Sequence, residues 1–131
     1  MNIFFDFDGT LVDSKWRLYN LFQYLVPLSK LTFKDYWELK RNKIGHQKIL
    51  EEQFLYTPDV IREFEIKWMN NIEKKEWLEF DMPFKGITGF LRNLNKTHSL
   101  YLITARQSEP MLLVQLKSFG WDSLFSKILV T

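Results

Sequence analysis

The chain has no cysteine, which excludes disulfide cross-links and thiolate chemistry. A strong charge of one sign is also missing: 18 basic and 16 acidic residues leave a formal net charge of +2. That balance argues against nucleic acid or a membrane surface as partner. No apolar run approaches the length of a transmembrane helix. The N-terminus shows no basic leader followed by a long apolar stretch, so no signal peptide is expected and a soluble cytoplasmic protein is the default. No repeat or low-complexity segment is found. Aromatic residues, by contrast, are plentiful at 17%, which favours a packed core with an aromatic-lined pocket. At 131 residues the chain is long enough for one domain, or one small domain carrying an insertion.

Hydrophobic periodicity predicts a buried strand over Ile3–Phe7 and a helix over 15–26, with Leu18, Leu21, Phe22 and Leu25 on one face, Ser14 as N-cap and Pro27 as its end. Thr32 is expected to cap a second helix, and a third is expected over Gln47–Phe54. Thr57-Pro58-Asp59 is a strong helix start, for a helix reaching about Glu76. Gly86 precedes a helix bearing Ile87, Phe90, Leu91 and Leu94. Leu100–Ile103 is a second buried strand ending at Thr104, Ser108-Glu109-Pro110 opens a helix stopped by Gly120, and Ile128–Val130 is a third strand. Strands separated by helices imply a parallel sheet. The fold class is therefore α/β: a Rossmann-like parallel-sheet core of about three strands, residues 1–14 and 82–131, with an all-helical cap inserted at 15–81. The first crossover is far longer than a sheet needs. Its cap is expected over the end of strand one, where open α/β sheets bind ligands.

The chemistry-bearing stretch is Asp6-Phe7-Asp8-Gly9-Thr10-Leu11-Val12-Asp13-Ser14. An apolar strand runs into two carboxylates one residue apart. In an extended chain Asp6 and Asp8 share a face while Phe5 and Phe7 point into the packing. Carboxylates at the end of a buried strand need compensation, and a hard divalent cation such as Mg²⁺ suits them. The bland alternative is a turn in which the aspartates cap backbone groups. Asp13 either orders the loop into the helical block or caps the next helix. Arg106 meets either a substrate anion or a surface ion pair. The run Lys40-Arg41-Asn42-Lys43 is a solvated helix face or, through Lys43, a contact for an anionic substrate. Trp37, Trp68 and Trp77 are expected in the core, His46 and His98 on the surface.

Asp6 to Ser14 resembles the first signature of the haloacid dehalogenase-like superfamily, and Leu100 to Thr104 resembles the second. The resemblance covers the whole chain and lies nearest the phosphoglycolate-phosphatase-like branch with a helical cap. It implies an Mg²⁺-dependent phosphatase acting on a small phosphate monoester, a phosphorylated metabolite, through an aspartyl-phosphate. Asp6 is then the nucleophile and a metal ligand. Asp8 is the general acid and base, and its carbonyl a second metal ligand. Thr104, with the N–H groups of Phe7 and Ala105 and the turn at Gly9 and Thr10, is implied to hold the phosphoryl group. Aspartate at position 8 fits a phosphatase or a phosphomutase, not a dehalogenase.

Two parts of the resembled pattern have no match: a lysine that binds nucleophile and phosphate together, and a later acidic pair that completes the metal site. Lys117 and Lys127 are unconvincing substitutes, and no acidic residue follows Asp122. In the resembled fold strand one is central, so here its other side is expected to be open. The chain is accordingly expected to be a piece of a longer protein, to have a second chain covering that edge, or to self-associate. Weak or absent turnover is expected of these 131 residues, and a non-catalytic relative that binds a ligand or partner stays an alternative.

Overall fold

The computed structural model describes residues 1–131. Strand β1 (Asn2–Asp6) leads through a tight turn to the two-residue strand β2 (Val12–Asp13). Five helices follow: α1 (Lys15–Leu25), α2 (Phe33–Arg41), α3 (His46–Phe54), α4 (Pro58–Asn71) and α5 (Lys75–Leu78). The chain returns through β3 (Met82–Pro83), α6 (Ile87–Asn95), β4 (Ser99–Thr104), α7 (Glu109–Phe119) and β5 (Phe125–Val130). The main sheet is parallel in the order β1-β4-β5, with Asp6 opposite Ile103 and Thr104 opposite Val130. Strand β1 is thus an edge strand of this sheet.

The short ribbon of β2 with β3 pairs Val12 with Pro83 and Asp13 with Met82. It was not legible as strand, because two residues carry no periodicity. It closes the base of the helical segment, where the chain leaves the sheet and comes back. Gly9 makes the turn before it at φ +81, and its N–H donates to the Val12 carbonyl at 2.8 Å. A side chain at that φ is disfavoured, which accounts for glycine there.

Two apolar clusters form. Phe7, Leu11, Val12, Leu91, Leu100, Leu102, Leu112, Leu116, Trp121 and Leu124 pack between the sheet and α6 and α7. Phe22, Val26, Tyr36, Ile49, Leu50, Ile61 and Phe64 form a second core inside the helical segment. The alternation expected in β1 is observed: Phe7 is fully buried, Phe5 packs against the first cluster, and Phe4 is exposed and stacked on Tyr101 at 4.9 Å.

Helix starts follow the local chemistry. Thr32 and Asp35 form a capping box, Thr57 accepts from the Val60 N–H with Pro58 at the first helical position, and Ser108 accepts from the Met111 N–H. Three expectations change. Ser14 does not cap α1, because its hydroxyl is taken elsewhere. Helix α4 stops at Asn71 rather than near Glu76, since Lys74 is extended (φ −72, ψ 149) and α5 restarts after it. His46 is also no surface residue. Its ring lies 4.4 Å from that of Trp68 and 5.3 Å from that of Phe22, and Nε2 shares a 2.7 Å hydrogen bond with the Tyr36 hydroxyl. Burial, with the Lys40 charge second, pushes its pKa down to about 3. Trp37 and Trp68 flank the same cluster, whereas Trp77 is half-buried beside Tyr24 and Phe80.

Candidate active site

The parallel register carries the ends of β1 and β4 to the same edge of the sheet. Asp6 closes β1, Asp8 follows it on the turn, and Thr104 closes β4. Asp6 is exposed, and its Oδ1 accepts from the Phe7 N–H at 3.0 Å. Thr104 is buried, and its hydroxyl accepts from the Arg106 N–H at 3.1 Å. Of the N–H groups expected to face an anion, that of Phe7 is spent on Asp6. Those of Gly9 and Thr10 are spent on the Val12 and Phe7 carbonyls, because closing the turn consumes them. The N–H groups of Ala105 and, unanticipated, Asp8 have no partner within the chain.

Asp8 is held by more groups than its motif suggests. Arg106 grips it with both arms of its fork, Nε to Oδ2 and Nη2 to Oδ1, each at 2.8 Å. Arg17 Nη2 reaches Oδ1 at 3.1 Å and the Ser14 hydroxyl donates to the same oxygen at 2.6 Å. Burial by itself raises the Asp8 pKa. The hydrogen bonds and charge of Arg106, then Ser14 and Arg17, outweigh it, and the carboxyl lies below its ordinary range. Behind the two guanidiniums sits Asp81, whose carboxylate has no exposure. It accepts from Arg17 Nε at 3.0 Å, Arg106 Nη2 at 3.2 Å and Gln115 Nε2 at 2.9 Å.

Arg106 is therefore neither exposed nor in a surface ion pair: it is buried against Asp8 and Asp81, with its guanidinium 5.2 Å from the centre of the Phe7 ring. Lys43 is exposed in a left-handed turn after α2 (φ 60) and does not line the cleft at Asp8. Asp13 accepts from the Lys15 N–H at 3.1 Å, which orders the entry to α1. Arg17, Ser14 and Asp81 were missed as site residues. A signal existed for Arg17: it lies four residues before Leu21 on the apolar face of α1, where a charge needs a buried partner. Glu73 was missed too; its carboxylate accepts from the Gln107 and Ser108 N–H groups at 2.9 Å each and ties the α4–α5 turn to the start of α7.

A cleft of about 270 Å³ opens onto Asp8, Ser14, Arg17 and Arg106, with Met69, Ile72 and Ala105 on its walls. For Mg²⁺ the chain offers hard oxygens, the Asp6 carboxylate and the Asp8 carbonyl, but nowhere three clustered acidic or histidine ligands. Such a donor set fits an Mg²⁺ that keeps most of its own water.

The profile of the family described as "Haloacid dehalogenase-like hydrolase" matches residues 3–131. A sequence search of curated proteins finds no match. Among solved structures the chain is similar to a haloacid dehalogenase-like hydrolase from Streptococcus pneumoniae (25% identity, TM-score 0.72, 99% of this chain and 60% of that one). It is also similar to a hydrolase of the same superfamily, subfamily IA, from Geobacter sulfurreducens (19%, TM-score 0.74, 98% and 61%). A third is a magnesium-bound hydrolase of Bacillus subtilis (18%, TM-score 0.63, 98% and 64%). The chain spans about 60% of the length of the first two.

Proposed function

This chain belongs to the haloacid dehalogenase-like hydrolases, and on that premise we propose that it is the phosphatase type: an Mg²⁺-dependent hydrolase of small phosphate monoesters working through an aspartyl-phosphate. One observation carries the reading. Asp6 and Asp8 stand at the end of β1 and Thr104 at the end of its parallel neighbour β4, and Asp8 lines a cleft to which the helical segment contributes Arg17.

In this reading residues 15–81 form the cap and the remainder the catalytic core. The Asp6 carboxylate attacks phosphorus, the bond from phosphorus to the ester oxygen breaks, and Asp8 gives a proton to the departing oxygen. Asp8 then takes a proton from the water that hydrolyses the acyl phosphate, so that phosphate leaves and Asp6 is regenerated. The free N–H groups of Asp8 and Ala105 supply donors for phosphoryl oxygens. The Asp6 carboxylate and Asp8 carbonyl would hold Mg²⁺, which would supply neutralisation of negative charge. The open edge of β1 would be covered by a second copy or another chain.

A second reading, a relative that binds without chemistry, is favoured by the full engagement of the Asp8 carboxylate. Incubation with acetyl phosphate and Mg²⁺, followed by mass spectrometry of the peptides, separates the two. The phosphatase reading expects a phosphoryl adduct on Asp6 that disappears in Asp6→Asn and accumulates when Asp8→Asn slows its hydrolysis. An unmodified Asp6, or an adduct that survives in Asp6→Asn, overturns it.

A further inference from the structure

The two guanidiniums at Asp8 have a second anchor besides Asp8. Asp81, itself fixed by the Gln115 amide, holds them from behind, and Arg17 Nη1 adds a 2.8 Å bond to the Ile72 carbonyl. Asp8 differs from Asp81 in being accessible: its side chain is 38% exposed where that of Asp81 is 0%. It also sits on the loop after β1, at the mouth of the cleft. The charges are two guanidiniums against two carboxylates, so the cluster is neutral with Asp8 in place and carries one net positive charge without it. Arg106 adds a second sign of an unfilled site. Its side chain is 4% exposed, yet Nη1 has no hydrogen-bond partner.

We propose that Arg17 and Arg106 form an oxyanion site which the chain's own Asp8 carboxylate fills in this structure, and that a small carboxylate or phosphate entering the cleft takes the fork and releases Asp8. The bidentate grip of Arg106 suits any group with two coplanar oxygens, so the Asp8 carboxylate shows the shape of the ligand. The exchange conserves charge: one anion leaves as another arrives, and no buried guanidinium is left uncompensated. The Ser14 hydroxyl, now donating to Asp8 Oδ1, becomes a further donor to the incoming anion. The consequence for catalysis rests on the phosphatase reading. Clamped, Asp8 has both oxygens engaged and cannot serve a leaving group; released, it can, so ligand binding and readiness for proton transfer become one event.

The exchange itself is tested without turnover. The isotope-labelled chain is titrated separately with acetate and with inorganic phosphate. The Nε–H signals of Arg17 and Arg106 and the carboxyl carbon of Asp8 are followed. The expected result is saturable movement of all three with one midpoint, and binding in Asp8→Ala tighter by about tenfold or more, with a raised Tm in the presence of the anion. Arg106→Lys, which keeps the charge and loses the fork, weakens binding by about tenfold. Saturation by acetate alone identifies a carboxylate as the ligand and by phosphate alone a phosphoryl group; either supports the exchange. Equal affinity in the parent and Asp8→Ala, or shifts confined to surface lysines, overturns it. If Asp8→Ala does not fold, the parent titration decides, because an Asp8 signal that does not move with the arginines also overturns the proposal. Failure of the phosphatase reading is seen separately, as a missing Asp6 adduct while the exchange persists.

Discussion

Asp81 has no contact with water, and three donors from three elements close on its carboxylate. It joins α1, the loop after β4, and α7, and through the two arginines it sets where Asp8 lies. Removing it leaves two guanidiniums buried beside a single carboxylate. Breaking a buried pair by deleting one partner costs about 3–5 kcal/mol. Asp81→Ala is accordingly expected to lose stability of that order in urea denaturation at neutral pH, while Arg62→Ala, whose partner Asp59 is a solvated neighbour at 3.4 Å, is expected to change it by less than about 1 kcal/mol. Equal effects of the two substitutions would show that the network around Asp81 is not a structural anchor.

At the scale of elements, the helical segment is held by an aromatic core with one titratable member. His46 packs among Phe22, Phe64 and Trp68 and binds the Tyr36 hydroxyl, and its pKa falls to about 3 in the folded chain. Unfolded, it titrates near its ordinary value of about 6.5. Between those values the unfolded chain binds more protons, so stability is complete above about pH 6.5 and is lost as pH falls toward 3, at up to about 1.4 kcal/mol per pH unit. Urea midpoints measured at pH 7 and pH 4.5 are expected to diverge more for the parent than for His46→Phe, which fills the slot without titrating. An identical pH dependence in both would rule out His46 as the source. The same segment explains an error of length. Nothing in residues 72–76 marks a helix stop as strongly as glycine or proline would. The break after Asn71 goes with a distant contact, the Glu73 carboxylate binding the start of α7.

At the scale of the molecule, the sheet has three strands with β1 at its edge. Phe4 on β1 is 53% exposed, and the outer N–H and C=O groups of β1 are unpaired by any strand. An edge of this kind is a template for further pairing. The chain as given is therefore expected to self-associate, with a sedimentation coefficient that rises with concentration. Phe4→Lys, a charge on the outer strand, is expected to reduce that rise. A parent that stays monomeric across the concentration range would remove the expectation.

Much of this architecture was determined by the sequence alone. While the place of Thr104 beside Asp6 and Asp8 was implied by the family resemblance, the main strands and helices, the parallel sheet and the direction of Phe5 and Phe7 follow from local periodicity, capping and the two-residue repeat of a strand. These are short-range rules, and a linear reading contains them. The partners of Asp8 were decided only by the tertiary structure. Arg106 is 98 residues from Asp8 in sequence and Asp81 is 64 from Arg17. Charges at such separations meet because desolvation forbids a buried ion to stay alone, and no local pattern says which opposite charge the fold will bring to it.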